Sequence, residues 1–333
     1  MASPPPGTLP ALIVGSGGES GINMSKALAG EGVSYVYTLD TKGSMGAYLP
    51  TALHKTLVDD MDNVVGFKRW NTAAILPASS KVIEHVYRWL ESNPNLILCM
   101  PDKETWSICR NKADTYSILG REFRWVTSDY HAGAAGDDLG YPFWMRAPEG
   151  SGAAAASRID TPRQAVAWYW YWKERDPGLT LMAEPYLTGT NVGFKSVLLN
   201  GSVVESFCME RVEWGGSSAP SGIPGTPLAA RTMPPVETEH YNEKAVQAIR
   251  LIDPNATGPF CVDFQGGQIT EINAGRLTTL SCKAWPGVNL PYTWLKLAHG
   301  VEPTFRGFDC AEPRTWIIRN RSAERIYYGF PSL

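Results

Sequence analysis

The chain has 333 residues, of which 44% are hydrophobic and 12 are tryptophan, so it can bury a large core and is expected to form two or three lobes. Its formal net charge of −3 argues against broad binding to nucleic acid or to an anionic membrane. Its apolar runs have the length of strands, which argues against a membrane-spanning helix.

The N-terminal residues 1–10 (MASPPPGTLP) lack the basic and apolar regions of a signal peptide, so we predict a disordered leader. The six cysteines form no C-x-x-C pair and lie mostly in apolar runs. This pattern is typical of reduced core thiols in a cytoplasmic protein. The five histidines are scattered along the chain, so we do not expect a structural zinc site.

From Ala11 the chain alternates between strand-like and helix-like segments, which predicts a parallel α/β sheet. The strand ALIVG leads through a glycine-rich turn, residues 15–21, into a helix near 22–28. A second strand covers 34–39 and ends at Asp40. Apolar runs at 73–76 and 96–100, with a helix at 81–90 between them, extend the sheet.

The glycine-rich turn also permits a different interpretation. A dinucleotide-binding loop has glycine at its first, third and sixth positions, with an acid about twenty residues later. Gly15, Gly17 and Asp40 match this pattern, but Ser20 occupies the sixth position. A nicotinamide enzyme therefore remains an alternative, beside the simpler explanation that the glycines only allow a tight turn.

The middle of the chain carries several polar or small-residue segments between its predicted strands and helices. Lys112 lies at the start of a helix, and Arg146 ends a strand that leads into the small-residue loop 148–157. A helix at Thr161-Pro162 has an N-cap residue followed by proline, and its aromatic run at 168–172 is typical of core or an interface. By themselves, the lysine and the loop are typical of solvated surface.

The next segments predict a strand ending at Glu184 and a hairpin around Asn200-Gly201. The stretch 212–235 is dense in glycine, proline and serine, and Arg211 and Arg231 bracket it. Irregular segments of this length in compact domains are usually functional or disordered. We favour a lid that becomes ordered over a second substrate. A helix at 236–251 follows.

The stretch Cys261–Arg276, CVDFQGGQITEINAGR, predicts a β-hairpin around Gly266-Gly267. Because side chains alternate along a strand, Glu271 and Asn273 should share one face. A two-residue turn would pair Asp263 with Thr270, whereas a three-residue turn would pair Asp263 with Glu271. Two carboxylates and an amide oxygen suit Mg²⁺, although a solvated hairpin is an equally simple interpretation.

The pattern D-x₇-E-x-N followed by Arg276 resembles the metal-binding end of the ATP-grasp superfamily, in particular the branch with the carbamoyl phosphate synthetase large chain and the amino-acid ligases. The earlier segments follow in the family's order over roughly residues 11–303. The resemblance implies an α/β, three-lobed ATP-grasp fold with an N-terminal parallel-sheet domain. It implies a leader at 1–10, a pre-ATP-grasp domain at 11–105, an ATP-grasp domain at 106–303 with a lid lobe at about 120–187, and a tail at 304–333 packed on the core, with solvated arginines.

The resemblance also implies a role for each matched residue. Asp263, Glu271 and Asn273 would hold Mg²⁺, with one or two ions and with Mn²⁺ as a substitute. The residues implied to bind ATP are Lys112, Arg146, Ser151, Gly152, Glu184, Leu187 and Asn191. Arg276, together with Arg146, is the predicted catalytic residue. Asn191 replaces a usual ribose-binding glutamate, Arg146 a usual lysine, and the step Ala274-Gly275 a usual proline before Arg276.

The activity implied is ATP-dependent joining of a carboxylate to an amine through an acyl phosphate. The expected partners are ATP and the two small substrates, without nucleic acid or membrane, in a cytoplasmic protein that can form a homodimer. A non-catalytic nucleotide-binding scaffold is the other alternative.

Overall fold

The computed structural model describes residues 7–42, 54–61, 64, 71–150, 155–215, 220–222, 226–319 and 324–327. Within them the chain forms three β-sheets. Ser151 and Gly152, part of the 212–235 segment and most of the predicted leader lie outside the described residues. None of the described helices combines the length and apolarity needed to cross a bilayer.

The first sheet is parallel and has the strand order β3-β2-β1-β4. Its elements are β1 (Ala11–Val14), α1 (Glu19–Gly30), β2 (Val36–Thr41), β3 (His54–Val58), β4 (Ala74–Pro77) and α2 (Ser80–Ser92). β1 is apolar throughout and completely buried, as expected for a parallel strand covered on both faces. The apolar run 96–100 does not form a full strand; it extends the sheet beside β4 only through a parallel bridge between Ile97 and Ala74.

Asp40 lies at the end of this sheet and interacts with the glycine-rich turn. Its Oδ2 accepts hydrogen bonds from the backbone N–H of Gly17 and from the Ser16 hydroxyl. Asp40 is buried. The acid that a nicotinamide-binding loop would direct at a ribose therefore binds its own loop, which disfavours the nicotinamide alternative.

Two short helices lead from the first sheet to a second, antiparallel sheet of order β5-β8-β6-β7. The elements are α3 (Lys103–Arg110), α4 (Lys112–Ile118), β5 (Arg124–Val126), α5 (Asp129–Leu139), β6 (Phe143–Arg146), β7 (Ser157–Ile159), α6 (Pro162–Arg175) and β8 (Leu181–Pro185). The predicted N-cap of α6 is confirmed, because the Thr161 side chain accepts from the Gln164 backbone N–H. Trp168 and Trp172 pack on the core, while Trp170 is half exposed.

The third sheet has seven strands in the order β13-β12-β9-β10-β11-β14-β15. Its elements are β9 (Asn191–Leu199), β10 (Ser202–Gly215), β11 (Thr226–Thr232), α7 (Pro235–Ile252), β12 (Gly258–Gln265), β13 (Gln268–Ala274), α8 (Leu290–Ala298), β14 (Trp316–Arg319) and β15 (Glu324–Tyr327). The hairpin at Asn200-Gly201 is confirmed, with both residues at positive φ. The irregular segment predicted at 212–235 is wrong where β10 and β11 extend into it.

The two faces of this sheet differ in chemistry because the side chains alternate. Val192, Phe194, Val262 and Phe264 form one hydrophobic cluster with α7. Residues at the positions between them face the other way and are mostly polar. The face opposite α7 is therefore polar around Lys195 and Asp263, and we call this part the polar face; elsewhere on the same side, Val197, Phe207 and Met209 pack in a second hydrophobic cluster with α8.

The cysteines agree with the sequence-based prediction, whereas the C-terminal tail departs from it. The six cysteines are free thiols and five of them are buried, so the prediction of core thiols is confirmed. Burial raises the pKa of Cys99 and Cys282 to about 12, which keeps both thiols protonated at neutral pH. The tail is not simply solvated, because Arg306 is paired with the buried Glu205 and two tail strands join the third sheet.

Candidate functional site

The predicted metal ligands lie together on the polar face of the third sheet. Asp263 is the direct cross-strand partner of Glu271, and Asn273 is the partner of Cys261. Since Glu271 and Asn273 are two residues apart on one strand, all three predicted ligands point to the same side.

The hairpin combines a feature of each sequence-based alternative: it has the two-residue turn, but it also has the Asp263–Glu271 pairing expected for the longer turn. The turn has two residues, Gly266 and Gly267, with φ of +55° and +76°. Gln268 pairs with Gln265 and Ile269 with Phe264, and then a β-bulge inserts Thr270 as an extra residue. The Thr270 hydroxyl donates to the Asp263 carbonyl at 3.1 Å. The bulge, and not a longer turn, places Asp263 opposite Glu271.

Lys112 connects this hairpin to the small-residue loop. Its backbone N–H donates to the Pro148 carbonyl at 2.9 Å, and its Nζ donates to the Gly150 carbonyl at 3.3 Å. The same Nζ lies 3.6 Å from Oε1 of Glu271. Burial lowers the pKa of Lys112, and the Glu271 carboxylate opposes this shift. With 5% exposure Lys112 is not a solvated surface lysine.

A second cationic group forms around Arg146, at the end of β6. Its Nη2 lies 2.6 Å from Oε1 of Glu184 and donates to the Thr270 carbonyl at 3.1 Å. Arg121 lies 3.3 Å from Oε2 of the same glutamate. Nη2 of Arg146 also donates to the Tyr116 hydroxyl. Burial opposes the charge of Arg146, but Glu184 and Tyr116 outweigh it, so the pKa of Arg146 is raised.

One polar atom in this group lacks a protein partner. The Nε of Arg146 is buried and has no hydrogen-bond acceptor among the described residues. A buried guanidinium donor without an acceptor costs free energy, about 1–3 kcal/mol or more for a charged group. A bound anion could supply the missing acceptor.

Glu184 and Leu187 lie where β8 leads towards β9. The side chain of Glu184 is buried and contacts two arginines, Arg121 and Arg146. Leu187 is half-buried in the connection between the strands.

Asn191 begins β9 and lies on the polar face of the sheet. Its Nδ2 donates to Oε1 of Gln265 at 2.9 Å, and its Oδ1 accepts from Nη1 of Arg211 at 2.9 Å. The amide is therefore held in place on both sides.

Arg276 lies just past the end of β13. Gly275, at φ +75°, turns the chain so that Nη2 of Arg276 donates back to Oδ1 of Asn273. The extra glycine that distinguishes this sequence from the family pattern thus directs the guanidinium towards the predicted metal ligands.

Sequence reasoning did not assign Lys195 or Arg211 to the site. Lys195 is fully buried on β9, and its Nζ lies 2.9 Å from Oδ1 of Asp263. Nη2 of Arg211, on β10, reaches the same oxygen. Burial alone would raise the pKa of Asp263, but these two cations lower it to about 2. The signal that could have revealed Lys195 is a lone charge within the apolar strand NVGFKSVLL.

The arrangement fits a divalent ion only in part. Glu271, with a side chain 30% exposed, and the nearby Asn273 offer the oxygen ligands that Mg²⁺ prefers. Asp263 fits less well, because one of its oxygens is shared by two cations. Within the described part of the chain, no three acidic, histidine or cysteine side chains are grouped closely enough to form a metal site by themselves. A bound ion would need further oxygens from a ligand.

Six cationic side chains and three carboxylates make up this part of the described structure, so the cluster carries a net positive charge. The cations are Lys112, Arg121, Arg146, Lys195, Arg211 and Arg276, and the carboxylates are Glu184, Asp263 and Glu271. A cluster with this charge balance attracts a polyanion.

Comparisons with solved structures identify the fold. Biotin carboxylase from Campylobacter jejuni superposes with a TM-score of 0.67 at 14% identity, covering 93% of this chain and 75% of that one. Carboxyaminoimidazole ribonucleotide synthase from Aspergillus clavatus, complexed with ATP, gives 0.68 at 14% identity, covering 93% and 81%. These neighbours are ATP-grasp ligases. This chain has the ATP-grasp fold.

The L-amino acid ligase from Bacillus licheniformis is also similar, with a TM-score of 0.67 at 17% identity over 92% of this chain and 79% of that one. No family model and no curated protein matches the sequence. The predicted fold class is therefore confirmed by three-dimensional similarity, while the roles of the individual site residues stay predictions.

Proposed function

We propose that the protein is an ATP-dependent ligase that joins a carboxylate to an amine and releases ADP and phosphate. The observation that carries the proposal is the convergence of Lys112, Arg146 and Glu271, from three separate segments, on one positively charged site in an ATP-grasp fold. The predicted division into domains belongs to the same proposal, with the lid lobe formed by the second sheet.

In this proposal ATP lies between the second and third sheets. Lys112 and Arg146 bind phosphate oxygens, and the unpartnered Nε of Arg146 gains an acceptor. The backbone around Glu184 and Leu187 reads the adenine edge, and Asn191 donates to a ribose hydroxyl. Ser151 and Gly152 would contribute backbone N–H groups from the small-residue loop.

Mg²⁺ bound to Glu271 and Asn273 would neutralise charge on the β and γ phosphates, and Mn²⁺ would substitute for it. The protein side chains then position the reactants, since phosphoryl transfer depends mainly on alignment and charge neutralisation. A carboxylate oxygen of the acid attacks the γ-phosphorus, and the bond from that phosphorus to the β–γ bridging oxygen breaks. The products of this step are an acyl phosphate and ADP.

The amine next attacks the acyl carbon, and the bond from that carbon to the phosphate oxygen breaks. The amine loses a proton and phosphate leaves, which completes the amide. Arg276 is proposed to stabilise the developing negative charge on the acyl oxygen during this step. We place the protein in the cytoplasm, with a homodimer as the assembly to test.

The proposal is tested by incubating the protein with Mg·ATP and pools of small carboxylic acids and amines. ADP and phosphate in equal amounts, formed only when an acid and an amine are both present, would support it. AMP and pyrophosphate would instead indicate an acyl adenylate and contradict the proposed mechanism. Binding of ATP without turnover for any pair in a broad panel would favour the non-catalytic scaffold.

A further inference from the structure

Gly193 creates an unusual space beside Asp263. It lies on β9 directly opposite Asp263. Because glycine has no side chain, nothing at this position keeps polar side chains of the neighbouring strands away from Asp263. A Cβ at Gly193 would lie 2.7 Å from Nζ of Lys195 and 2.8 Å from Nη2 of Arg211. Both cations therefore pass over the glycine to reach one oxygen of Asp263.

The two cations are fixed in this position by burial. The side chain of Lys195 is 1% exposed, that of Arg211 10%, and that of Asp263 15%. Water has little access to compete for these contacts. Arg211 is also held by Asn191, so its guanidinium spans two polar groups of the same sheet face. The negative charge of Asp263 is thus neutralised by the protein itself.

Glu271 has a different environment although it is the cross-strand partner of Asp263. Its side chain is twice as exposed as that of Asp263, 30% against 15%, and its distance to Lys112 is 3.6 Å. It stands beside Asn273 on the same strand. Lys112 lies beside Oε1 of Glu271, and the half-buried Arg276 donates to Oδ1 of Asn273. A divalent ion on this pair would replace the Arg276 contact, but it would not meet two enclosed cations on a single oxygen, as it would at Asp263.

A second divalent ion would have to meet Asp263 at the place where Lys195 and Arg211 already lie. Two-metal phosphoryl-transfer sites hold their ions about 3.5–4 Å apart, each beside a carboxylate. An ion at Asp263 would be repelled by a buried ammonium and would need to displace a guanidinium.

We infer that Lys195 and Arg211 take the place of a second metal ion, so that the chain binds one divalent ion, on Glu271 and Asn273, together with ATP. The inference rests on the proposed function. It distinguishes this site from an arrangement in which both Asp263 and Glu271 ligate metal.

The number of ions can be measured by electron paramagnetic resonance with Mn²⁺ and a non-hydrolysable ATP analogue held below the protein concentration. Nucleotide binding is measured first by calorimetry. The expected result for the native chain is one Mn²⁺ per bound nucleotide, with the spectrum of an isolated ion. Two ions per nucleotide, or a spectrum of two spin-coupled ions, would overturn the inference while leaving the proposed function intact. Failure to bind nucleotide would overturn both.

A double variant tests whether Lys195 and Arg211 are the reason that a second ion does not bind. Lys195→Met with Arg211→Met removes both charges while keeping unbranched side chains, and it is expected to bind two spin-coupled Mn²⁺ ions. Lys103→Met, at a lysine 58% exposed on α3, is the matched control and should keep one ion. A folded double variant that still binds one ion would show that the cations do not exclude the second. The native measurement decides the stoichiometry even where the double variant does not fold.

Discussion

Asp263 and Glu271 lie directly opposite each other across a hairpin whose two-residue turn would by itself have paired Asp263 with Thr270. The inserted Thr270 changes the register by one residue and brings the two carboxylates onto facing positions. Like charges this close repel each other unless cations compensate them. Here Lys195 and Arg211 compensate Asp263, and Lys112 lies beside Glu271.

The first prediction concerns Glu271. We expect Glu271→Gln to lower turnover by about two or more orders of magnitude while the fold stays intact, because the change removes the accessible carboxylate that, in the proposed function, faces the phosphates. Steady-state kinetics measures the loss, and circular dichroism checks the fold. Glu174→Gln, at an exposed position on α6, is the matched control and should keep full activity. Retention of more than about a tenth of native activity by Glu271→Gln would contradict its role.

The second prediction concerns stability at Asp263. Asp263→Asn leaves Lys195 and Arg211 buried without their anionic partner, and breaking a buried ion pair costs about 3–5 kcal/mol. We therefore expect lost activity and a larger drop in the free energy of unfolding than for Glu271→Gln, which removes the carboxylate 3.6 Å from a single buried cation, Lys112. Urea unfolding of both variants measures the difference. Equal stability of the two variants would show that the cations do not depend on Asp263.

The third prediction is a pH dependence of that stability. The pKa of Asp263 falls from an ordinary 3.8 to about 2 in the folded chain. A lowered folded-state pKa stabilises the fold above the unfolded-state value and loses this contribution as the pH falls through the folded-state value. At about 1.4 kcal/mol per unit, this group should contribute roughly 2–3 kcal/mol of stability at neutral pH, and this contribution should be lost progressively between about pH 5 and pH 1.

This contribution can be isolated by comparing the native chain with Asp263→Asn over the same range. Their difference in unfolding free energy should shrink as the solution is acidified. A difference that stays constant from pH 5 to pH 2.5 would mean that the cations do not stabilise the ionised carboxylate.

The fourth prediction concerns Gly193. Gly193→Ala should displace Lys195 and Arg211, because the new Cβ would lie within 3 Å of both side chains. We expect it to destabilise the fold by about 1–3 kcal/mol, as overpacking usually does, and to reduce activity. Gly133→Ala on α5 is the control, since the nearest atom to its Cβ lies at 3.6 Å. The control should be neutral or slightly stabilising in thermal unfolding.

Much of the architecture could be predicted from the sequence because it follows from local patterns. The buried run Ala11–Val14, the Thr161 N-cap and the Asn200-Gly201 turn are each encoded by adjacent residues. The strands β3, β14 and β15 could not be predicted in this way. Short strands at or next to a sheet edge depend on pairing with distant neighbours, and their own sequences carry a weak signal.

In the candidate site too, features that follow from local alternation were predictable from the sequence, and features that depend on strand register were not. Alternation along β13 is enough to predict that Glu271 and Asn273 share a face. The register of Asp263 was left open because the sequence permits a two-residue turn, which would pair Asp263 with Thr270, or a three-residue turn, which would pair it with Glu271. The structure decides for the bulge, since the Tyr116 hydroxyl and Arg146 both donate to the carbonyl of the inserted Thr270.

By itself the sequence determined the order of most strands and helices, the hairpin, and the placing of Glu271 and Asn273 on one face of it. Only the tertiary structure decided which cations accompany the carboxylates. Lys195 and Arg211 come from two other strands and meet Asp263 because Gly193 leaves room between them. The glycine is present in the sequence, but only the strand order of the packed sheet places it opposite Asp263, so no local pattern in the sequence specifies this contact.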